Sequence, residues 1–294
     1  MKATTRLREI LSRDKATILP AVGDPLSALL ARAEGYEGVM VSGNATSATR
    51  LGMPDVGLLT MTENADNVAR IFDATGLPVF ADADTGYGNA ITVKRTIREF
   101  ERAGAAAIMI EDQVSPKRCG MLAGKALIPV SEMEDKLRAA VDARRDADLI
   151  IVGRTDARSV EGLDAAIERA CRYAEAGADA IFVQGPRGED EAERLVAEID
   201  RPQFYIVTPD GKTPSLTQEQ LSLLGFKVMG FSVYLLLMAI PAMRGLLRKL
   251  ADTGSLEAAI GGAASLDEYH NLLDLEGWNT LRQVPSTMMK GGLS

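Results

Sequence analysis

A parallel (β/α)₈ barrel of TIM-barrel type with a C-terminal helical appendage is the fold class this sequence predicts, on three observations. The first is a repeated unit in which a helix-like segment ends at Gly, two or three residues follow, and a short apolar run comes next. AEGYEGVMVSG (33–43), RAGAAAIMIED (102–112), EAGADAIFVQG (175–185) and LLGFKVMGFS (223–232) all have this form. The second is that similar apolar runs lie at 17–22, 77–81, 149–153 and 203–207, which brings the candidate strands to eight. The third is length: 294 residues hold one barrel of roughly 250 residues and a tail.

Each element has a local reason. A glycine after a helix supplies the left-handed residue that ends it. The runs that follow are too short for helices and rich in Val and Ile, as strands covered on both faces should be. Helical periodicity fills the gaps at 91–103, 131–145, 163–176, 189–199 and 216–224, with Asp24 and Ser131 as expected N-caps. Alternation of this kind favours a closed barrel. An open doubly wound sheet is the alternative, against which stands the absence of G-x-G-x-x-G after the first strand. The expected division is a catalytic barrel over 1–250 and a helical tail over 251–294, with helical pieces at 255–262 and 266–275.

Composition narrows the class of partner. The net charge is −8, both signs are interspersed, and no basic face is expected, which argues against nucleic acid. The most apolar stretch, 234–240, is cut by Pro241 and is far shorter than the ~20 residues of a membrane span. It reads as a buried helix or a subunit contact. Two separated cysteines and a polar opening segment predict a reducing cytoplasm. A single histidine, His270, leaves no room for a Ser-His-Asp triad or a His-based zinc site.

In such a barrel the chemistry lies where the strands end. Strand two ends in Ser42-Gly43-Asn44, strand three in Asp82-Ala83-Asp84, strand four in Glu111-Asp112 and strand five in Arg154-Thr155-Asp156. Asp82, Asp84 and Glu111 offer only oxygen ligands, which suit Mg²⁺ or Mn²⁺. The plainer alternative for any single carboxylate is a helix cap. Arg154 presents a fork for a substrate carboxylate, with Ser42, Gly43 and Asn44 completing the pocket, or else makes a structural salt bridge. The long loop 113–129 carries Lys117, Arg118 and Cys119. A thiol beside two cations is expected to be partly ionised, and Gly120 and Gly124 would let the loop act as a lid.

These motifs resemble the isocitrate lyase and phosphoenolpyruvate mutase superfamily, from about Leu7 to at least Leu250. The likeness rests on Leu51-Gly52-Met53-Pro54-Asp55, on DADTGYGN at 82–89, and on Glu111-Asp112-Gln113 leading into Lys117-Arg118-Cys119-Gly120. The last looks like the K-[KR]-C-G loop of the lyase branch that includes 2-methylisocitrate lyase and carboxyphosphonoenolpyruvate mutase. The resemblance implies Mg²⁺ held directly by Asp82 and through water by Asp84 and Glu111, with Asp55 a further candidate. It also implies a 2-oxo acid whose carboxylate sits on Ser42, Gly43 and Arg154, and Cys119 exchanging a proton with the departing carboxylate with help from Lys117. It implies, too, a homotetramer in which the helix around 233–247 packs on a neighbouring barrel. Three positions depart from the lyase pattern: Met121 replaces a His, Gln184 a Glu and Ile206 an Asn. All three reduce polarity at the far end of the substrate, so a substituted malate is favoured over a tricarboxylate. Oxaloacetate decarboxylation or hydrolysis, or a phosphorus–carbon mutase reaction, is the alternative outcome.

Overall fold

The computed structural model describes residues 1–282; the last part of the expected tail, 283–294, lies outside the described residues. All eight expected strands form: β1 (Thr17–Val22), β2 (Val39–Val41), β3 (Val79–Asp82), β4 (Ala105–Glu111), β5 (Ile150–Thr155), β6 (Ala180–Val183), β7 (Phe204–Val207) and β8 (Val228–Phe231). Every pairing is parallel and follows chain order, and β8 returns to pair with β1. Between β6 and β7 the contact thins to one bridge, Ile181 with Gln203. The barrel is therefore nearly closed, and helices flank it.

The glycines at the head of the repeated units behave as the sequence predicts: Gly35, Gly104, Gly177 and Gly225 have φ of 82°, 90°, 107° and 105°. At Gly104 a side chain is excluded twice over, because a Cβ would also overlap the Phe72 ring. We therefore expect Gly104→Ala to cost roughly 2–5 kcal/mol in strain and overpacking. A urea unfolding midpoint equal to that of the wild type would refute this.

Parity along the strands sorts the side chains into two cores. Outward residues such as Val39, Val79, Ile108, Ile151 and Ile181 pack against the surrounding helices. Inward residues, among them Leu19, Met40, Phe80, Met109, Val152, Phe182 and Phe204, fill the barrel, where Phe80 and Phe204 meet edge-on with centroids 4.9 Å apart. The lower end is stopped by a helix the sequence reading did not anticipate, Ala3–Leu11. Its segment is polar on average, yet Leu7, Ile10 and Leu11 share one face at helical spacing and enter the inner core.

Two local expectations are corrected. Ser131 does not cap a helix; it lies inside Val130–Ala143, which begins directly after Pro129. Pro129 itself takes the N-cap place, with φ −54° and no side-chain cap, so the helix starts two residues earlier than a Ser131 cap would put it. Nor is the 234–240 stretch a buried helix ended by its proline. The helix Tyr234–Thr253 runs through Pro241 and has no buried residue. By contrast Asp24 does cap its helix, accepting from the Ser27 amide at 2.8 Å.

The chain divides into two compact units, Met1–Leu237, which holds all eight strands, and a second beginning at Met238. The second consists, among the described residues, of most of the long helix and the helices Leu256–Ala259, Leu266–Leu272 and Leu275–Arg282. No helix among the described residues is long and apolar enough to cross a membrane.

Candidate active site

The rule that fills the barrel also builds the site. Two residues beyond each inward core residue, the same parity brings a polar side chain to the mouth. Met40 is followed in this way by Ser42, Phe80 by Asp82, Met109 by Glu111, Val152 by Arg154, Phe182 by Gln184 and Ile206 by Thr208. A cavity of about 50 Å³ opens there, with Met40, Met109, Phe182 and Ile206 among its apolar walls. Ser42, Asn44, Asp55, Asp82, Arg154, Gln184, Thr208 and Ser232 supply its polar walls, and Cys119, Gly120 and Met121 close it from the loop. Thr208 and Ser232 were missed in the sequence, where the parity of strands seven and eight would have indicated them. The departures at Met121, Gln184 and Ile206 all face this cavity.

The carboxylates are held by backbone. Asp82 accepts from the amides of Asp84 at 3.0 Å and Gly43 at 3.3 Å. Gly43 is thus committed to Asp82, and a Cβ there would stand 3.0 Å from Asp84 Oδ1. Asp84 sits at φ 47°, a left-handed conformation rare for a residue with a side chain, and its carbonyl accepts the Glu111 amide at 2.8 Å. Asn64, another residue the sequence reading passed over, donates to the Asp82 carbonyl at 2.8 Å and to the Tyr87 hydroxyl at 2.9 Å.

Charge in the site is dense and buried. Lys117 Nζ lies 2.5 Å from Asp55 and 2.7 Å from Asp84. Burial works against its charge, but Asp84, Glu111, Asp55 and Asp82 outweigh burial and hold the ammonium well above its ordinary range. Burial lifts Asp84 to about 6 against the pull of Lys117, with Asp82 and Asp55 adding to the rise. Glu111 is pushed well above the usual carboxylate range, first by burial, despite Arg154 and Lys117. Its Oε2 is 3.0 Å from Arg154, yet neither oxygen has a hydrogen-bond partner of good geometry. Arg154 also pairs with Asp156 at 3.0 Å and lies 5.6 Å from the Phe182 ring centre. The salt bridge and the cavity-facing position weighed as alternatives for Arg154 therefore coexist.

Among the described residues no three acidic, His or Cys side chains close on one point. The donors nevertheless fit a hard dication in kind. They are all oxygen, Glu111 has buried oxygens without a hydrogen-bond partner, and Asp55, Asp82, Asp84, Glu111 and Asp156 outnumber Lys117, Lys125 and Arg154. Mg²⁺ in particular keeps several waters and needs only one or two direct carboxylates.

The loop is folded inward, and it corrects one expectation. Cys119 is 8% exposed; its amide donates to the Asp55 carbonyl at 3.1 Å, and Asn44 Nδ2 lies 3.2 Å from its sulfur. Its surroundings favour the neutral thiol over the partly ionised one. Burial pushes its pKa up, with the Asp55 charge adding to the rise, while the cation expected to lower it, Lys117, is engaged by two carboxylates. Arg118 turns outward to the Ala123 carbonyl. Gln113 ties the loop base, exchanging hydrogen bonds of 2.9 and 3.0 Å with the Arg118 backbone.

Fold and site together define a (β/α)₈-barrel enzyme with an acidic, loop-covered centre at the strand ends. The family model described as phosphoenolpyruvate phosphomutase matches residues 7–251, and the chain belongs to the phosphoenolpyruvate mutase and isocitrate lyase superfamily. It is 40% identical over 276 residues to 2,3-dimethylmalate lyase of Eubacterium barkeri, covering 94% of this chain and 96% of the relative. It is 43% identical over 267 residues to 2-methylisocitrate lyase of Aeropyrum pernix, covering 91% and 86%. A crystal structure of a 2,3-dimethylmalate lyase superposes with a TM-score of 0.91 at 31% identity, over 100% of this chain and 99% of that one. An oxaloacetate acetylhydrolase bound to 3,3-difluorooxalacetate superposes with a TM-score of 0.90 at 32% identity, over 95% and 96%.

Proposed function

We propose that this enzyme is a Mg²⁺-dependent carbon–carbon lyase that cleaves a 2-hydroxy dicarboxylate of the substituted-malate type into a 2-oxo acid and a carboxylate. The observation that carries the reading is the Cys119 thiol, held beside Asn44 at 3.2 Å on the wall of a cavity that also exposes Asp82 and Arg154. Cleavage removes the proton of the 2-hydroxyl, forms the C2 carbonyl, breaks C2–C3 and puts a proton on C3. Cys119, kept protonated by burial, gives that proton. Asp55, held by Lys117, takes the hydroxyl proton. Arg154, Ser42 and Asn44 orient the C1 carboxylate, with the Gly43 amide acting through Asp82. Asp82, Asp84 and Glu111 would hold the ion, which when bound polarises the hydroxyl oxygen and balances the charge that develops there.

The substrate's far end meets Met121, Phe182, Gln184 and Ile206. The only cation lining this cavity, among the described residues, is Arg154, which the C1 carboxylate occupies in this reading. A further ionised carboxylate would be buried without a partner of its own, whereas an alkyl group gains by burial. The dimethylmalate lyase relative supports this preference. A second reading, hydrolysis of oxaloacetate, is favoured by the acetylhydrolase likeness.

Assay of 2,3-dimethylmalate, 2-methylisocitrate and oxaloacetate with Mg²⁺, following 2-oxo acid and acetate or oxalate release, separates the readings. The expected result is turnover fastest on the substituted malate and abolished by chelator, with recovery on adding Mg²⁺ or Mn²⁺. Turnover that survives chelation would overturn the metal assignment; oxalate and acetate released from oxaloacetate, with no turnover of either hydroxy acid, would replace the lyase by a hydrolase.

The proposed catalytic domain is 1–250, with 251–294 as its appendage, in a cytoplasmic homotetramer built by exchange of the helix Tyr234–Thr253. Its exposed Ile240, Met243 and Leu247, at 43%, 57% and 65%, share one face at i, i+3, i+7 spacing and form the kind of apolar stripe that a second copy would cover. Light scattering that gives a monomer at micromolar concentration would rule this assembly out.

A further inference from the structure

Lys125, on the far limb of the loop, is only 8% exposed, and it makes two bonds. Its Nζ donates to the Gly120 carbonyl at 2.7 Å and to Asp156 Oδ1 at 2.6 Å. The same Asp156 accepts from Arg154 Nε on Oδ2 at 3.0 Å and faces Arg154 Nη2 from Oδ1 at 3.4 Å. Asp156 itself cannot wander, because its amide donates to Asp112 Oδ1 at 3.0 Å, and Asp112 is further held by Thr155 and Tyr173 at 2.7 and 2.8 Å. One fixed carboxylate thus grips both a lysine of the loop and the arginine of the cavity.

Gly120 lies directly on that arginine. A Cβ at this position would stand 2.6 Å from Arg154 Nη2 and 2.8 Å from the Gln184 amide carbon. The residue before Gly120 is Cys119, so the backbone that Lys125 fastens is the one that carries the thiol. A buried ion pair contributes little net stability compared with apolar packing. Stability alone is therefore a poor reason for a lysine here, whereas holding the loop backbone and Arg154 in register is a sufficient one.

We propose that Lys125 is a positioning residue that fastens the Cys119–Gly120 segment against Arg154 through Asp156, so that the proton-bearing thiol and the carboxylate anchor come into register only when the loop is closed. The inference rests on the roles given above to Cys119 and Arg154, but its central readout does not need the substrate. With Lys125 withdrawn, Asp156 keeps Arg154 while the Gly120 carbonyl loses its donor, and the thiol segment is released from the cavity wall.

The test compares Lys125→Met and Lys125→Arg with the wild type. Alkylation of Cys119 by iodoacetamide is followed by peptide mass spectrometry, with Cys171 on its helix as internal reference, alongside amide hydrogen exchange over 119–125. Lys125→Met is expected to speed Cys119 alkylation and exchange of its amide roughly tenfold, and to lower kcat by more than KM changes, as loss of a closed state does. Lys125→Arg should recover most of both. Alkylation and exchange in Lys125→Met within about twofold of wild type would overturn the proposal. If that variant fails to fold, Lys125→Gln, which keeps a polar head but is uncharged and shorter, must show the same exposure of Cys119. Wild-type protection there would overturn it equally. Released thiol without lyase turnover on any substrate would leave the latch standing and remove the lyase reading; lyase turnover with an unaltered thiol would do the reverse.

Discussion

Cys119→Ser is expected to lower kcat by about 10²–10⁴, the range that a positioned proton donor contributes, while KM and thermal stability stay close to wild type. The substitution removes only acidity. Serine is nearly isosteric, its hydroxyl still accepts from Asn44, and the Cys119 amide still donates to the Asp55 carbonyl at 3.1 Å. An alcohol at that place is a far weaker acid than the buried thiol, so the departing carbon would have to find its proton in water that the loop excludes. Single-turnover kinetics on the substituted malate would show normal binding followed by slow product formation. A kcat within a few-fold of wild type would remove Cys119 from the reaction. The lyase reading would then lose the observation on which it is built.

Arg154→Met should be costly in two separable ways. Arg154 is 6% exposed and pairs with Glu111 and Asp156, each at 3.0 Å. Methionine of similar length would leave two buried carboxylates, of which Asp156 keeps Lys125 and Glu111 keeps only the pull of Lys117, itself paired with Asp55 and Asp84. Removing one partner of a buried pair costs about 3–5 kcal/mol, to be read from denaturant unfolding at neutral pH. Catalysis should fall as well, since among the described residues no other lining side chain offers a fork to a carboxylate. Arg154→Lys separates the effects. It restores much of the stability, because the charge returns, yet kcat/KM should remain about 10–100-fold low, the worth of a lost charge-assisted hydrogen bond. Recovery of kcat/KM by lysine to within a few-fold would show that Arg154 serves the fold and not the substrate.

Much of this architecture was legible from local pattern. Glycine caps followed by short apolar runs located four strands and similar apolar runs the other four, because both signals depend on neighbours within a few residues. Ser42, Gly43, Asn44, Asp82, Asp84, Glu111, Arg154 and Gln184 were legible as candidates for the same reason, as each lies at or just past a strand end, whereas Lys117 and Cys119 came from the loop's composition and Asp55 from the family resemblance. Thr208 and Ser232 escaped because a lone hydroxyl carries no signal until the inward parity of its strand is counted. The helix Ala3–Leu11 escaped because its average polarity hid three apolar residues on one face.

The protonation of Cys119 was misread for a different reason. Lys117 and Arg118 are its neighbours in sequence, but in space one is engaged by Asp55 and Asp84 and the other turns to the surface. Likewise nothing in the linear order suggested that Lys125 shares Asp156 with Arg154, or that Asn44 meets a sulfur 75 positions away. Short-range periodicity and turn chemistry, written in the chain itself, determine where strands begin and which residues reach the mouth of the barrel. Which charges pair, and which groups stay neutral, is decided by distance and burial after closure. Coulomb energy and desolvation are properties of that folded space, and sequence order does not measure them.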